Sequence, residues 1–288
     1  MINNAIEIQN LTKNYAGFSL GPLNFNIPVG CMVGYIGENG AGKSTTLKAI
    51  LGLIKPDDGE IKIFDRNIKE CTPDLMNRIG VVFDNINIPG EMKVKEVGNL
   101  CKLSFDSWEE GTFRSYIKRF GLPSDQRVKR LSRGMRMKLS LSIALSHQAE
   151  LLILDEATSG LDPVIRDEIL DILLDFLQDE NHTILISSHI LSDLEKAADY
   201  IAFLHHGKIL FMEEKDALVE RYALCSLDNE MIENLDPKSI IGRRKHAFGQ
   251  DLLVVRDLMP ANIELFKPSI EDIMVYIIKG EENESISC

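Results

Sequence analysis

Apolar and polar residues alternate from Ala5 to Leu11, the period-two mark of a half-buried strand. Gly17 and Gly21-Pro22 punctuate the chain as turns, so residues 1–65 predict β-strands and hairpins. Met32–Ile36 is a short apolar strand entering a glycine-rich turn, and Ser44–Leu53 has helical character that stops at Gly52. Lys55–Gly59 reads as a turn, after which Glu60–Phe64 alternates as another strand.

From about Asp84 to Glu150 the texture changes to helix-like segments at Lys95–Phe105, Glu109–Phe120 and Arg133–Ser146. A β/α alternation then returns. Leu151–Leu154 is continuously apolar, as expected of a parallel strand covered on both faces. Asp162–Gln178 has apolar residues at helical spacing, Thr183–Ser187 is a second buried strand, Leu191–Ala198 a helix and Tyr200–Leu204 a third strand. Beyond Asp216 the strands are short: Ser239–Phe248 and Leu252–Val255 flank Gly249-Gln250-Asp251 as a hairpin turn. A helix over Ser269–Lys279 and an acidic tail, Gly280–Cys288, expected to fray, complete the chain. The pattern predicts an α/β core over residues 1–215 with an N-terminal antiparallel β-subdomain and a helical insert at about 84–150. A small α+β domain over residues 216–288 follows.

Composition narrows the class. The 288 residues are 44% apolar and 26% charged, which excludes disordered and collagen-like chains. Lys and Arg number 32 against 44 Asp and Glu, a net charge of −12, so nucleic-acid binding through bulk charge is not expected. Cys31, Cys71, Cys101, Cys225 and Cys288 are widely spaced and form no CxxC, which speaks for a reducing compartment. No basic and apolar leader opens the chain, and no apolar run approaches the length of a membrane span. A soluble, cytosolic protein is expected, with any membrane work requiring a partner.

Gly37-Glu38-Asn39-Gly40-Ala41-Gly42-Lys43-Ser44-Thr45 fits G-x-x-x-x-G-K-[ST] between a strand and a helix. Glycines let successive backbone N–H groups turn toward phosphate oxygens, and the helix start adds its positive dipole. Lys43 would reach the β- and γ-phosphates, and the Ser44 hydroxyl would ligate Mg²⁺. Leu151–Leu154 ends in Asp155-Glu156. Asp155 would hold Mg²⁺, and Glu156 would orient or deprotonate the attacking water. The separation of the two motifs exceeds what one β-α-β crossover requires, and the helical insert accounts for the excess.

With these motifs the chain resembles the ATP-binding cassette (ABC) family over about Ile6–Met212. Further matches are Leu131-Ser132-Arg133-Gly134-Met135 as a signature loop, Ser159-Gly160-Leu161-Asp162 as a D-loop and His189 as a switch histidine. The resemblance implies a P-loop ATPase fold and Mg²⁺-dependent ATP hydrolysis. It also implies a head-to-tail dimer with a second copy or a homologous ATPase. Each ATP would lie between the Gly37–Thr45 loop (Asn39, Gly40, Ala41, Gly42 and Thr45 included) and the partner's signature loop, through its Ser132 and Gly134. By the same resemblance Tyr15 stacks on adenine, His189 contacts the γ-phosphate and Asp162 links the two sites.

Two motifs depart from the family pattern. The usual Gln after the strand Ile79–Phe83 is Asp84, which can still bind a Mg²⁺-bound water, and LSGGQ is Leu-Ser-Arg-Gly-Met. Arg133 either adds positive charge near the partner's phosphates or lies in solvent. Arg127, Lys129, Arg130, Arg133, Arg136 and Lys138 form a basic run, read as a mixture of solvated face and positive field. Arg243-Arg244-Lys245 falls below the size of a lipid-binding cluster. His147, His182, His205, His206 and His246 lack metal-ligand spacing and are read as structural.

A single cassette without membrane helices or heptad arms resembles the ATPase subunit of ABC-2-type bacterial exporters of drugs or antimicrobial or toxic peptides. That implies a peripheral place on the cytoplasmic face of the membrane. A separate permease would dock near Asp84–Val97, with Ile86, Ile88, Pro89 and Met92 as the lip. The competing readings are a soluble ABC ATPase dimer with a regulatory or DNA-associated role, and a cassette that binds without hydrolysing.

Overall fold

The computed structural model describes residues 3–70, 72–84, 87–246 and 249–286. It comprises two compact units, divided between Met212 and Glu213.

The first unit opens with β1 (Asn4–Tyr15) and β2 (Phe18–Pro28), an antiparallel pair around Gly17. Gly21-Pro22 is not a turn as expected but lies inside β2. Gly21 N–H donates to the Gly207 carbonyl at 2.7 Å, a long-range bond that ties β2 to a distant segment of the same unit. β3 (Met32–Gly37) is buried throughout, as a central parallel strand must be. Its Met32, Val33, Tyr35 and Ile36 are fully buried, each contributing about 1.5–3 kcal/mol of apolar burial. α1 (Lys43–Ile50) follows the glycine loop, then β4 (Asp58–Ile63) and the short β5 (Arg66–Asn67). β2, β1, β4 and β5 make one four-stranded antiparallel sheet.

α2 (Pro73–Asn77), capped by Thr72, leads into β6 (Ile79–Val82). The insert carries α3 (Val94–Ser104), α4 (Glu110–Arg119) and α5 (Arg133–Ala144). α5 packs back on β6. That approach needs Gly80, where a Cβ would sit 2.5 Å from Leu152 Cδ2 and 3.0 Å from the Ala144 carbonyl. β7 (Leu151–Asp155), α6 (Pro163–Phe176), β8 (Thr183–Ser188), α7 (Leu191–Ala197), β9 (Tyr200–His205) and β10 (Lys208–Glu214) complete the core. The sheet order is β10-β9-β3-β8-β7-β6, with β9, β3, β8, β7 and β6 parallel. The phosphate loop, Asp155 and His189 thus all leave the carboxyl ends of adjacent parallel strands, where open α/β sheets bind ligands.

In the second unit α8 (Lys215–Arg221) precedes β11 (Tyr222–Leu227), α9 (Asn229–Glu233), β12 (Ile240–His246), β13 (Gly249–Val255) and α10 (Ile270–Ile286). The sheet order is β11-β13-β12, all antiparallel, over a core that includes Cys225, Ile232, Leu252 and Val254. Gly249, Gln250 and Asp251 are strand residues rather than a turn, paired with His246, Lys245 and Arg244, while Phe248 lies outside the described residues. The final helix does not stop at Lys279 but continues through Gly280 to Ile286. At Gly280 a Cβ would meet the Ile241 carbonyl at 2.3 Å, so glycine here serves close packing against β12 rather than helix termination.

Cys31, Cys101 and Cys225 are free and buried, and desolvation pushes their thiols up to about 12, 11 and 11 respectively, which makes them inert. His147 stacks on Phe105 with ring centroids 4.1 Å apart and contacts the Asn77 carbonyl through Nδ1 at 2.9 Å. Burial holds its pKa below the ordinary 6.5. The unfolded chain then binds the proton more readily, so His147 costs stability as pH falls through 6.5 and is neutral in its effect well above it. Between neutral pH and pH about 5, His147→Phe is expected to show a shallower loss of denaturation midpoint than the parent. Equal slopes would remove His147 from the acid response.

Candidate active site

β3 delivers the chain into the loop Gly37–Gly42, where Gly40 and Gly42 have φ of +86° and +113°. A Cβ on Gly42 would also lie 2.6 Å from Leu20 Cδ1, so the loop's path requires glycine there on both counts. Lys43, only 6% exposed, turns its ammonium back into the loop. Its Nζ donates to the Gly37 carbonyl at 2.7 Å and the Glu38 carbonyl at 3.2 Å, and lies 3.7 Å from Glu156 Oε1. Burial of a cation is tolerable because carbonyls and a carboxylate surround it.

β7 ends at the buried Asp155, whose Oδ1 accepts from Ser187 Oγ at 2.7 Å and Ser44 Oγ at 3.2 Å. Two hydroxyls from β8 and α1 thus fix its rotamer. Glu156 follows with φ of +54°, a left-handed conformation that costs a non-glycine residue roughly 1–2 kcal/mol. It is held there by its N–H, which donates to the Ser187 carbonyl at 3.2 Å and Ser187 Oγ at 3.1 Å. The bend aims the Glu156 carboxylate between Lys43 and His189, whose Nδ1 hydrogen-bonds Glu156 Oε2.

These groups line one cleft of about 550 Å³ with Asn39, Gly40, Gly42, Ser44, Thr45, Asp84, Arg133 and Ser159. Of the residues expected from sequence, Tyr15, Gly37, Ala41, Ser132, Gly134 and Asp162 do not line it. Tyr15 stands 48% exposed at the end of β1 with Lys13 Nζ 5.7 Å from its ring centre; the aromatic wall of the cleft is Phe18. Ser132 caps α5 through Met135 N–H at 3.2 Å, and Gly134 faces Ile165, 2.8 Å from where a Cβ would lie. Asp162 caps α6, accepting from Val164 and Ile165 N–H at 3.2 and 3.1 Å, ahead of Pro163. Phe18 and Ser187 escaped sequence reasoning, whereas Ser159 is the start of the expected D-loop. Of the two missed, only Ser187 left a signal, as the hydroxyl two positions before His189.

The two departures from the family pattern face each other. Arg133, at the first turn of α5, forms an ion pair with Asp84 in the same chain, and its guanidinium lies over Gly160, 2.5 Å from where a Cβ would sit. Arg133 thus stays exposed but has a carboxylate partner in its own chain. Most of the basic run is likewise partnered: Arg127 and Lys129 with Glu91, Lys138 with Glu168. The Lys129 ammonium, first among its neighbours, holds the Glu91 carboxyl below its usual range. Both members of the Asp84–Arg133 pair are more than two-fifths exposed, so the pair adds at most about 1 kcal/mol to folding. Its effect is expected in catalysis: Asp84→Ala and Arg133→Ala should change kcat/KM non-additively, the double variant behaving like one of the singles. Strictly additive effects would separate the two residues functionally.

A phosphate-binding loop, a strand-end acid pair and a histidine on adjoining strands define a nucleotide-hydrolysing P-loop domain. The sequence profile of the family described as ABC transporter matches residues 20–159. Over 208 residues the chain is 35% identical to the bacitracin transport ATP-binding protein BcrA of Bacillus licheniformis, covering 71% of this chain and 68% of that one. Over 220 residues it is 39% identical to the lantibiotic transport ATP-binding protein SrtF of Streptococcus pyogenes, covering 73% and 91%. Among solved structures, an ATP-binding subunit of an ABC transporter superposes with a TM-score of 0.67 at 26% identity, covering 74% of this chain and 91% of that one. The chain belongs to the ABC transporter family and is an ATP-binding, ATP-hydrolysing member of it. Among the described residues no helix is long and apolar enough to cross a membrane.

Proposed function

We propose that this chain powers export of a peptide or drug-like substrate through a separate membrane permease, working as a head-to-tail pair with a second copy or a homologous ATPase. The observation that carries this reading is the division of the expected ATP contacts. Lys43, Ser44, Asp155, Glu156 and His189 converge on one cleft, whereas Ser132 and Gly134 do not line it; in this reading they meet a phosphate brought by another subunit. The names of BcrA and SrtF, with their bacitracin and lantibiotic transport, support a peptide-like cargo.

In this reading the loop N–H groups and Lys43 bind the β- and γ-phosphates, with Lys43 exchanging carbonyl partners for phosphate oxygens. Tyr15 or the nearby Phe18 supplies the adenine platform. The hard oxygen donors Ser44 Oγ and Asp155, 3.2 Å apart, suit Mg²⁺, and Asp84 joins them through water when released from Arg133. Bound there, Mg²⁺ would neutralise phosphate charge. Glu156 accepts the proton of a water attacking the γ-phosphorus, and the oxygen bridging to the β-phosphate leaves with ADP. His189 holds the Glu156 carboxylate in place and faces the γ-phosphate. Asp162 would report across the interface from its position at the start of α6.

The permease would seat on the segment after Asp84. There Ile88 and Met92 are half-buried and Pro89 is exposed; Ile86 lies outside the described residues. Leu100 and Leu103, 39% and 87% exposed on α3, are further apolar side chains that the insert presents to solvent. Ile88→Glu is expected to leave ATP binding intact while abolishing ATP-driven uptake into inverted vesicles that hold the permease. Unchanged transport, or failure of the chain to co-purify with any multi-helix membrane protein in detergent, would overturn the exporter reading.

A further inference from the structure

A second cluster of ligating side chains lies at the rear of the phosphate loop. Successive side chains of a strand point to opposite faces, so the adjacent His205 and His206 should diverge. They do not. His206 has φ of +44°, which ends the alternation at the close of β9, and the two rings lie beside each other with centroids 4.1 Å apart. Glu38, the first variable residue of the phosphate loop, faces them, with its Oε2 3.7 Å from His205 Nδ1. One ligand atom from each of the three residues falls within 4.8 Å of the others. Glu38 and His206 are exposed, so they have room to close on an ion, while His205 is buried and fixed against Phe203. The backbone keeps the two segments in register: Gly207 N–H donates to the Ala41 carbonyl at 3.1 Å.

We propose that Glu38, His205 and His206 form a regulatory site for a zinc-class divalent cation, separate from the Mg²⁺ ligands Ser44 and Asp155. Two imidazoles and one carboxylate, with a fourth position for water, match the donors of Zn²⁺ and are too nitrogen-rich for Mg²⁺ or Ca²⁺. Ligand bonds of about 2.0–2.2 Å bring ligand atoms to roughly 3.5 Å of one another. Rotation of the two exposed side chains supplies that contraction. The site also has a consequence for nucleotide. Glu38 lines the ATP cleft, and a cation that engages its carboxylate neutralises a negative charge beside the phosphates. Metal binding therefore tightens ATP binding, and by reciprocity ATP tightens metal binding.

The experiment uses the full chain without nucleotide, titrated with Co²⁺ as a spectroscopic probe and with Zn²⁺ against a chromophoric chelator. The expected result is one equivalent bound, with visible Co²⁺ bands of a four-coordinate site. His206→Asn, chosen because Asn tolerates the left-handed backbone, and Glu38→Gln should each weaken Zn²⁺ binding by about tenfold or more. Absence of the bands, or equal affinity in His206→Asn with an unchanged melting temperature, overturns the site. Zn²⁺ should also tighten binding of a non-hydrolysable ATP analogue by roughly fivefold in the parent and not in His206→Asn. Equal tightening in both, or none in the parent, overturns the coupling to nucleotide.

Discussion

Glu156→Gln is expected to lower steady-state ATP turnover by about 10²–10⁴-fold, the range for removing a positioned general base, while ATP affinity stays within a few-fold of the parent. The amide matches the carboxylate in shape but cannot take the water's proton. Lys43 keeps the Gly37 and Glu38 carbonyls, at 2.7 and 3.2 Å, so the phosphate loop does not lose its central cation contacts. The left-handed backbone at Glu156 is secured by Ser187, not by the side chain, and Gln tolerates it as well as Glu. The melting temperature should therefore hold. Phosphate release measured beside fluorescent-nucleotide binding checks both halves; unchanged turnover would remove Glu156 from the chemistry.

Lys43→Ala acts one step earlier. Charge-assisted hydrogen bonds to phosphate contribute about 1.5–3 kcal/mol each, so losing them should weaken ATP binding by roughly 10²-fold and abolish turnover. The loss has a second component. Without the ammonium, the Glu156 carboxylate 3.7 Å away becomes an uncompensated negative charge at the cleft. Adding Glu156→Gln to Lys43→Ala should then recover part of the binding but none of the turnover. Calorimetric titration with ATP tests the series, and parent-like binding in Lys43→Ala would refute the role given to this side chain.

Local chemistry wrote much of this molecule openly in its sequence. The phosphate loop was legible because its glycines, lysine and hydroxyls are contiguous. The buried strands β3, β7 and β8 announced themselves as apolar runs because parallel strands are covered on both faces. What failed to show depends on contacts between distant segments. Gly21-Pro22 looks like a turn until Gly207 bonds to it. Gly280 looks like a helix stop until β12 packs on it. Asp84 and Arg133 were each visible as a departure, but nothing in the linear order pairs them. Likewise, His205 and His206 gained a carboxylate neighbour only when the sheet brought Glu38 beside them. Asp162 shows a further limit: Asp followed by Pro is an ordinary helix start, and the structure gives it that capping duty alongside the role proposed for it between subunits.

The most direct test of the central claim is the solution mass of Glu156→Gln by light scattering, with and without saturating ATP and Mg²⁺. Because hydrolysis no longer releases the pair, a doubling of mass on adding nucleotide is expected, abolished by Lys43→Ala and by a bulky residue at Gly134. A mass that stays at one chain while nucleotide binding is seen directly would contradict the shared-site mechanism.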